Sequence, residues 1–193
     1  MPATTKLEAI NTMLSVIGEA PVNTLTNSNS ADVEIAQSIL DEVLRELCSE
    51  EWHFNTEEDY SLAPDIEGKI AIPSNAMYVD VERDGQSTID GVERSGYLYN
   101  RKGQTFVFTQ AVKMSVRWLL GFEELPQPAR TYVIKRAGRI FADRVQAAPT
   151  IHSFSIDDEF NARARLEQFE ADAVDTFAHD DPYTQYGINR NTF

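Results

Sequence analysis

The sequence holds a single cysteine, Cys48, in 193 residues, so no disulfide can form within the chain. A lone thiol beside Leu44 and Leu47 fits a reducing compartment or an ordinary core position. No apolar run approaches the roughly 20 residues that a membrane-crossing helix needs, so no membrane insertion is expected. The opening MPATTKLEAI lacks the basic segment and apolar stretch of a secretory signal, which predicts a soluble protein made in the cytoplasm. Positive charge is scarce too: 17 Lys and Arg stand against 31 Asp and Glu, a formal net charge of −14. That excess excludes a nucleic-acid reader whose affinity rests on cationic contact with phosphate. It does suit a protein that lets DNA slide past without gripping it.

The signatures of chemistry are also missing. There is no Gly-rich phosphate loop, no nucleophile elbow and no pair of histidines at metal-ligand spacing, since His53, His152 and His179 are scattered. No catalytic residue, metal or cofactor is expected. Three acidic clusters remain: Glu57-Glu58-Asp59, Glu123-Glu124 and Asp157-Asp158-Glu159. A glycosidase needs two carboxylates about 5 to 10 Å apart across a cleft, often beside aromatic platforms. Trp52, Tyr60, Tyr97, Tyr99 and Trp118 can supply such rings. The alternative function is therefore a component that cleaves polysaccharide with a carboxylate pair. In a chain this acidic, however, adjacent carboxylates arise without function, and those at Asp157 to Glu159 also favour a helix N-terminus.

What is present is helical at both ends. In LEAINTMLSVIGEAPV, Leu7, Ile10, Met13, Leu14 and Ile17 recur at three- and four-residue spacing, one stripe of a helix. Thr5 and Glu8 form a capping box, Gly18 allows a left-handed turn, and Pro21 prevents resumption. A polar connection, Asn23 to Ser30, leads to a second helix over about Ala31 to Glu51. Its broad apolar face carries Ile35, Ala36, Ile39, Leu40, Val43, Leu44 and Leu47. Trp52 and Phe54, in WHFN, pack their rings against its end and are expected in the core, as is Trp118.

From Tyr60 to Phe122 the signals turn short and strand-like. Ile70 to Ile72 and Met77 to Val81 read as strands, the latter ahead of a turn at Arg83-Asp84-Gly85-Gln86. Tyr97 to Tyr99 and Phe106 to Phe108, joined through Asn100-Arg101-Lys102-Gly103, read as a hairpin. Val112, Met114, Val116 and Trp118 share one face of a further strand. Two prolines in FEELPQPAR then mark the start of a helix over about Gln127 to Ala147. Its face of Val133, Ile134, Ala137, Ile140, Phe141 and Val145 spans roughly 140°. Arg130, Lys135, Arg136 and Arg139 lie mostly off that face; Arg144 falls inside it, where it meets a carboxylate or snorkels. Ala147-Ala148-Pro149 closes this helix. A last helix over Asp157 to Phe177 has Phe160, Ala164, Leu166, Phe169, Ala173 and Phe177 as its apolar side.

The fold class is α+β: an antiparallel bundle of about four helices with a small inserted antiparallel β lobe. Residues 1–56 hold the first two helices, 57–122 the lobe, 123–178 the last two helices, and 179–193 an extended tail. A basic helix followed by an acidic one points to pairing between helices or between subunits. Arg136, Arg139, Arg144, Asp172 and Asp175 are the candidates, and both pairings stay open. Tyr183 and Tyr186, with Phe193, lie in a tail with no apolar partner of its own, which suits partner contacts.

Together these landmarks resemble the tail tubular protein A family of short-tailed, autographivirus-type phages. The resemblance is carried by Ala9-Ile10-Asn11 through Ile17-Gly18-Glu19-Ala20-Pro21-Val22, and by Trp52-His53-Phe54-Asn55. It continues in Phe122-Glu123-Glu124-Leu125-Pro126 and in the helix with Arg139, Phe141 and Arg144. It is strongest at both helical ends and weak from about Pro64 to Phe108. The resemblance implies a structural virion protein of the tail, a homo-oligomeric ring of about twelve copies between the portal protein and the nozzle of tail tubular protein B. Such a ring extends the DNA channel without sequence-specific binding and helps hold tail fibres. Tyr183, Tyr186 and Phe193 become the candidates for portal contact.

Overall fold

The computed structural model describes residues 4–26, 30–81, 89–145 and 149–180, with side chains in the last span described for 156–173. Among the described residues four helices, α1 (Lys6–Val16), α2 (Ala31–Ser49), α3 (Gln127–Val145) and α4 (Pro149–Asp180), flank five strands. These are β1 (Thr56–Leu62), β2 (Ala76–Val81), β3 (Gly91–Arg94), β4 (Tyr97–Asn100) and β5 (Val112–Trp118). The architecture is thus α+β, helices with an inserted antiparallel lobe. Residues up to Leu47 and from Gly121 onward form one compact unit, and Cys48–Leu120 form the other.

In the helical unit, α1 begins on the capping box: the Glu8 N–H donates to Thr5 Oγ1 at 3.2 Å and the Thr5 N–H to Glu8 Oε2 at 2.8 Å. Gly18 ends the helical run with φ of 81°, a conformation that costs other residues about 1 kcal/mol or more. Asn11 then pins the outgoing chain. Its amide donates to the Val22 carbonyl at 3.0 Å, and its carbonyl accepts from the Val22 N–H at 2.8 Å. Ala9, Ile10, Met13 and Leu14 are buried, and α1 packs on α3. Full burial of an aliphatic side chain contributes about 1.5–3 kcal/mol, so these positions, with Val133 and Phe141, anchor the helices.

Three expected faces need correction. On α2 the buried stripe is Val33, Ala36, Ile39, Leu40, Val43, Leu44 and Leu47, while Ile35 is 40% exposed. At 100° per residue Ile35 falls about 40° beyond Ile39, past the stripe's edge. On α3 Val145, in the last turn, is exposed. On α4 the buried residues are Ala162 and Leu166, while Phe160 is 72% exposed, Phe169 is partly exposed and Ala164 is exposed. Phe160 lies about 160° round the helix from Ala162, nearly opposite the buried side. The helix also starts earlier than expected, at Pro149, which opens α4 as an N-terminal proline can. It continues through His179 and Asp180, which the sequence placed in the extended tail. The turn at Arg83 to Gln86, Ala147-Ala148 and residues 181–193 lie outside the described residues.

The β unit is built on β5, paired antiparallel with β1 on one side and β2 on the other. Val112, Met114 and Val116 of β5 are buried, and Lys113 points outward, as strand alternation requires. They pack with Ile70, Val81, Leu98 and Phe108; Trp118 is half-buried against that cluster, edge-on to Tyr60 at 5.1 Å. The expected hairpin through Asn100 to Gly103 is replaced. β4 pairs with β3 across Ser95-Gly96, and only an isolated bridge joins Asn100 to Thr105. Ser95 and Gly96 both take positive φ, 53° and 80°, the geometry that matches a two-residue turn to strand twist. Ile70 to Ile72 forms a single bridge, Ala71 to Tyr97, rather than a strand.

Within this unit, WHFN closes the end of α2. Trp52 is buried, Phe54 half-buried, and their rings stack with centroids 5.9 Å apart. Asn55 is fully buried because its amide satisfies the helix end. It donates to the carbonyls of Cys48 at 2.9 Å and Glu50 at 3.2 Å, and accepts from the Trp52 N–H at 3.0 Å.

Candidate functional site

The basic residues of α3 meet acids of the same chain. Arg136 reaches Glu46 of α2 at 2.7 Å and Glu159 of α4 at 3.4 Å, and donates to the Tyr132 hydroxyl at 3.2 Å. Arg139 holds the other oxygen of Glu159 and, at 3.4 Å, Asp143. Lys135 pairs with Asp158 at 2.6 Å, Arg144 with Glu42 at 3.3 Å, and Lys6 of α1 with Asp41 at 2.6 Å. Glu159 is the hub, its side chain 15% exposed between two guanidiniums. The hydrogen bond to Glu159 is the main reason that the Arg139 guanidinium is held above its ordinary range, against partial burial. At Arg136 burial opposes the charge, and the Tyr132 hydroxyl and Glu46 more than offset it. Pairing between helices therefore occupies Arg136, Arg139 and Arg144. Asp172 accepts from Gln168 at 2.7 Å along α4. Asp175 lies on α4, its side chain outside the described set, and Tyr183, Tyr186 and Phe193 lie outside the described residues altogether.

Sequence reasoning missed Arg130. Expected off the apolar face, it falls at 100° per residue about 60° from Val133, inside that face, and it is buried, with its fork in the FEELP segment. Nε donates to the Leu125 carbonyl at 2.8 Å, Nη1 to the Thr4 carbonyl at 2.7 Å, and Nη2 to the Glu123 carbonyl. One rigid guanidinium thus ties the chain before α1 to the chain before α3, a geometry that lysine cannot copy. Its place inside the apolar stripe is a spacing signal of burial, while its partners, being backbone atoms, leave no signal.

Five acids of these clusters are engaged in structural work. Glu123 accepts from the Lys6 N–H at 3.0 Å, and Glu124 from the N–H of Gly121. Asp158 and Glu159 belong to the ion pairs above, and Asp59 of β1 pairs with Lys113 of β5 at 2.6 Å. Among the described residues no group of three or more His, Cys, Asp or Glu is placed to hold a metal. Cys48 is buried; burial pushes its thiol above the ordinary value, and a hydrogen bond from the Leu120 backbone partly opposes that.

Among the described residues a cavity of about 70 Å³ opens between α1, α3 and α4, where apolar Met13, Val16 and Ile134 meet polar Thr12, Lys135, Arg139 and Asp158. Several apolar side chains also face outward: Ile156 and Phe160 on α4, and Ile66 and Val107 in the β unit.

Fold and site together define a structural α+β protein, its helices joined by inter-helix ion pairs and its chain interrupted by an antiparallel lobe. Residues 7–176 match the tail tubular protein family. The chain belongs to that family and is a structural protein of a viral tail. Among curated relatives, tail tubular protein A of Klebsiella phage KP34 is 33% identical over 129 residues, 66% of this chain and 66% of that protein. The aligned stretch thus spans about two thirds of that relative's length. Among the described residues no helix is long and apolar enough to cross a membrane.

Proposed function

We propose that the protein forms the adaptor ring of a short-tailed phage, about twelve copies seated between the portal protein and the tail tubular protein B nozzle. It is made in the host cytoplasm and joins the virion there. The ring extends the DNA channel, and its outer side helps hold tail fibres. The β lobe, 57–122, docks the nozzle. Residues 179–193, with Tyr183, Tyr186 and Phe193, reach the portal. Arg144, whose side chain is 54% exposed, and Asp172 and Asp175 of α4 act between subunits, while Arg136 and Arg139 serve mainly within one.

The observation that carries this reading is the outward face of α4. Phe160 is 72% exposed and Ile156, one turn before it, is 45% exposed, on a helix whose own burial is supplied by Ala162 and Leu166. Apolar groups held outward on an otherwise ion-paired helix suit a partner surface better than water. The net charge of −14 fits a channel that passes DNA and does not bind it.

Light scattering after size exclusion tests the reading, on the protein alone and mixed with its portal protein. The expected result is recruitment onto the portal in a fixed ring stoichiometry. Failure to associate with portal or nozzle at any salt concentration overturns it.

A further inference from the structure

A sheet edge is a row of unpaired N–H and C=O groups, and folded proteins blunt it with charge, a bulge or cover. In the β unit the edges are treated unequally. β4 is covered: the Leu98 N–H donates to the Ile70 carbonyl and the Ile72 N–H to the Gly96 carbonyl, both at 2.9 Å. β1 is blunted by exposed Glu57, Glu58 and Asp59, and by a bulge between Glu57 and Tyr60 where Asp59 takes φ of 57°. β3 is only four residues long and carries Glu93 and Arg94. β2 has no such protection over most of its length. Its irregularity is confined to Ala76–Tyr78, and from Tyr78 to Val81 it runs in regular register on β5. Among the described residues the backbone of 77–81 bonds nothing outside that ladder, so alternate N–H and C=O groups face away from β5 unpaired.

The side chains of this edge gain from cover. Met77 is 38% exposed and Tyr78 46%, and Tyr78 is held in place by Arg117, whose guanidinium lies 4.5 Å from the ring centre. Among the described residues a cleft of about 350 Å³ lies between Met77–Asp80 of β2 and Gly91–Glu93 of β3, all within the β unit. Its charge is acidic: Asp80, Asp90 and Glu93 stand against Arg101 alone. Asp90 pairs with Arg101 at 3.3 Å, and Glu93 accepts from the Gly96 N–H at 2.8 Å. Asp80 is exposed and has no hydrogen bond or ion pair among the described residues. The edge therefore offers free backbone groups, two apolar side chains and one uncompensated carboxylate.

We propose that β2 takes up an extended, cation-bearing segment of the nozzle protein as an added strand. The contact rests on the reading above that the β lobe docks the nozzle, and specifies the edge and the chemistry it accepts. Open backbone groups select an extended chain, because a strand repeats its donors and acceptors at the matching spacing. Asp80 selects a Lys or Arg at the position that lands beside it. A second copy is the poorer occupant. β2 against β2 joins identical patches, which closes as a two-fold pair and not as a ring. It also brings together two edges that each carry Asp80, and like charges across a strand pair are destabilising.

Residue-resolved hydrogen exchange on the full chain, alone and saturated with the nozzle protein, tests it. An added strand slows exchange by at least about ten-fold at alternate amides of 77–81, those not already bonded to β5. Two exposed substitutions, Asp80→Lys and Met77→Lys, are each checked for unchanged folding by circular dichroism. Both place a lysine on the edge, and the first also reverses its charge, so nozzle affinity should fall about ten-fold for Asp80→Lys and less for Met77→Lys. Nozzle binding with exchange at 77–81 unchanged overturns the added strand and leaves the ring reading standing. Unchanged affinity in both variants overturns it as well. Slowed exchange that appears with the portal protein, or on concentrating the chain alone, and not with the nozzle, overturns it too, since another occupant then holds the edge. If the nozzle does not bind the unaltered chain at all, the docking reading fails and this contact falls with it.

Discussion

Arg130 shows how much one buried cation can organise. Its fork satisfies carbonyls at Thr4, Glu123 and Leu125, and the first of these is 126 residues away. Arg130→Met keeps the apolar stem and removes every donor, leaving those acceptors unpaired; about 1–3 kcal/mol is lost for each buried group left unsatisfied. We expect about 2–4 kcal/mol of destabilisation, read as a lower urea midpoint, and Arg130→Lys should recover only a minor part of it. Cys48 gives a second residue-level expectation. Its thiol pKa is raised in the folded state, so the unfolded chain releases that proton first as pH rises. The thiol's contribution to stability is therefore present below its unfolded value and is lost as pH climbs through the folded one. At about pH 8, just below the free thiol's range, a disulfide reagent should react slowly with the native protein and rapidly once urea unfolds it. Equal rates in both states would show that Cys48 is accessible. Burial of Cys48 was legible beside Leu44 and Leu47, whereas the backbone partners of Arg130 come from the fold.

At the scale of elements, local signals were legible and environment was not. The first helix could be read from Thr5, Glu8 and Gly18, because caps and a left-handed turn act on neighbouring residues. Alternation gave β5 for the same reason. The hairpin was misplaced because Asn100 to Gly103 and Ser95-Gly96 are both acceptable turns, and only the tertiary pairing of Gly91–Arg94 decides between them. The α4 face was misread for a different cause. Hydrophobicity identifies Phe160 as a residue that seeks cover, but cannot distinguish cover within the chain from cover by another chain. Of the candidate site, the basic-to-acidic helix pairing was legible as charge pattern, and its specific hub, Glu159, was not. Gly138 allows a direct test of α3. It lies inside the helix, and a Cβ there would rest 4.0 Å from Met13 Cγ, ordinary contact. Gly138→Ala should therefore raise stability by about 0.5–1 kcal/mol through helix propensity, seen as a higher thermal midpoint. A lower midpoint would mean that α3 and α1 must approach more closely there than the structure shows.

For the whole molecule, charge and apolar contact pull self-association in opposite directions, and salt separates them. Each copy carries a formal charge of −14, so neighbours repel at long range. The Debye length is about 30 Å at 0.01 M salt and about 8 Å at 0.15 M, so that repulsion is largely removed within this range. A contact resting on outward apolar side chains such as Ile156 and Phe160 does not weaken with screening, and moderate salt should leave it more populated. A contact resting on interchain pairs such as Arg144 with Asp172 behaves oppositely, because exposed ion pairs contribute little and are screened. Light scattering at one protein concentration across a salt series reads the difference. We expect association to grow between about 0.01 and 0.15 M and then to hold. A mass that falls steadily with salt would assign the subunit contact to ion pairs and remove the apolar anchors from it. Duplex DNA added throughout the series should remain unbound, since a surface with this excess of carboxylates releases few counterions from phosphate. Retention of DNA at low salt would place a local basic surface in the channel, contrary to the passage role proposed for the ring.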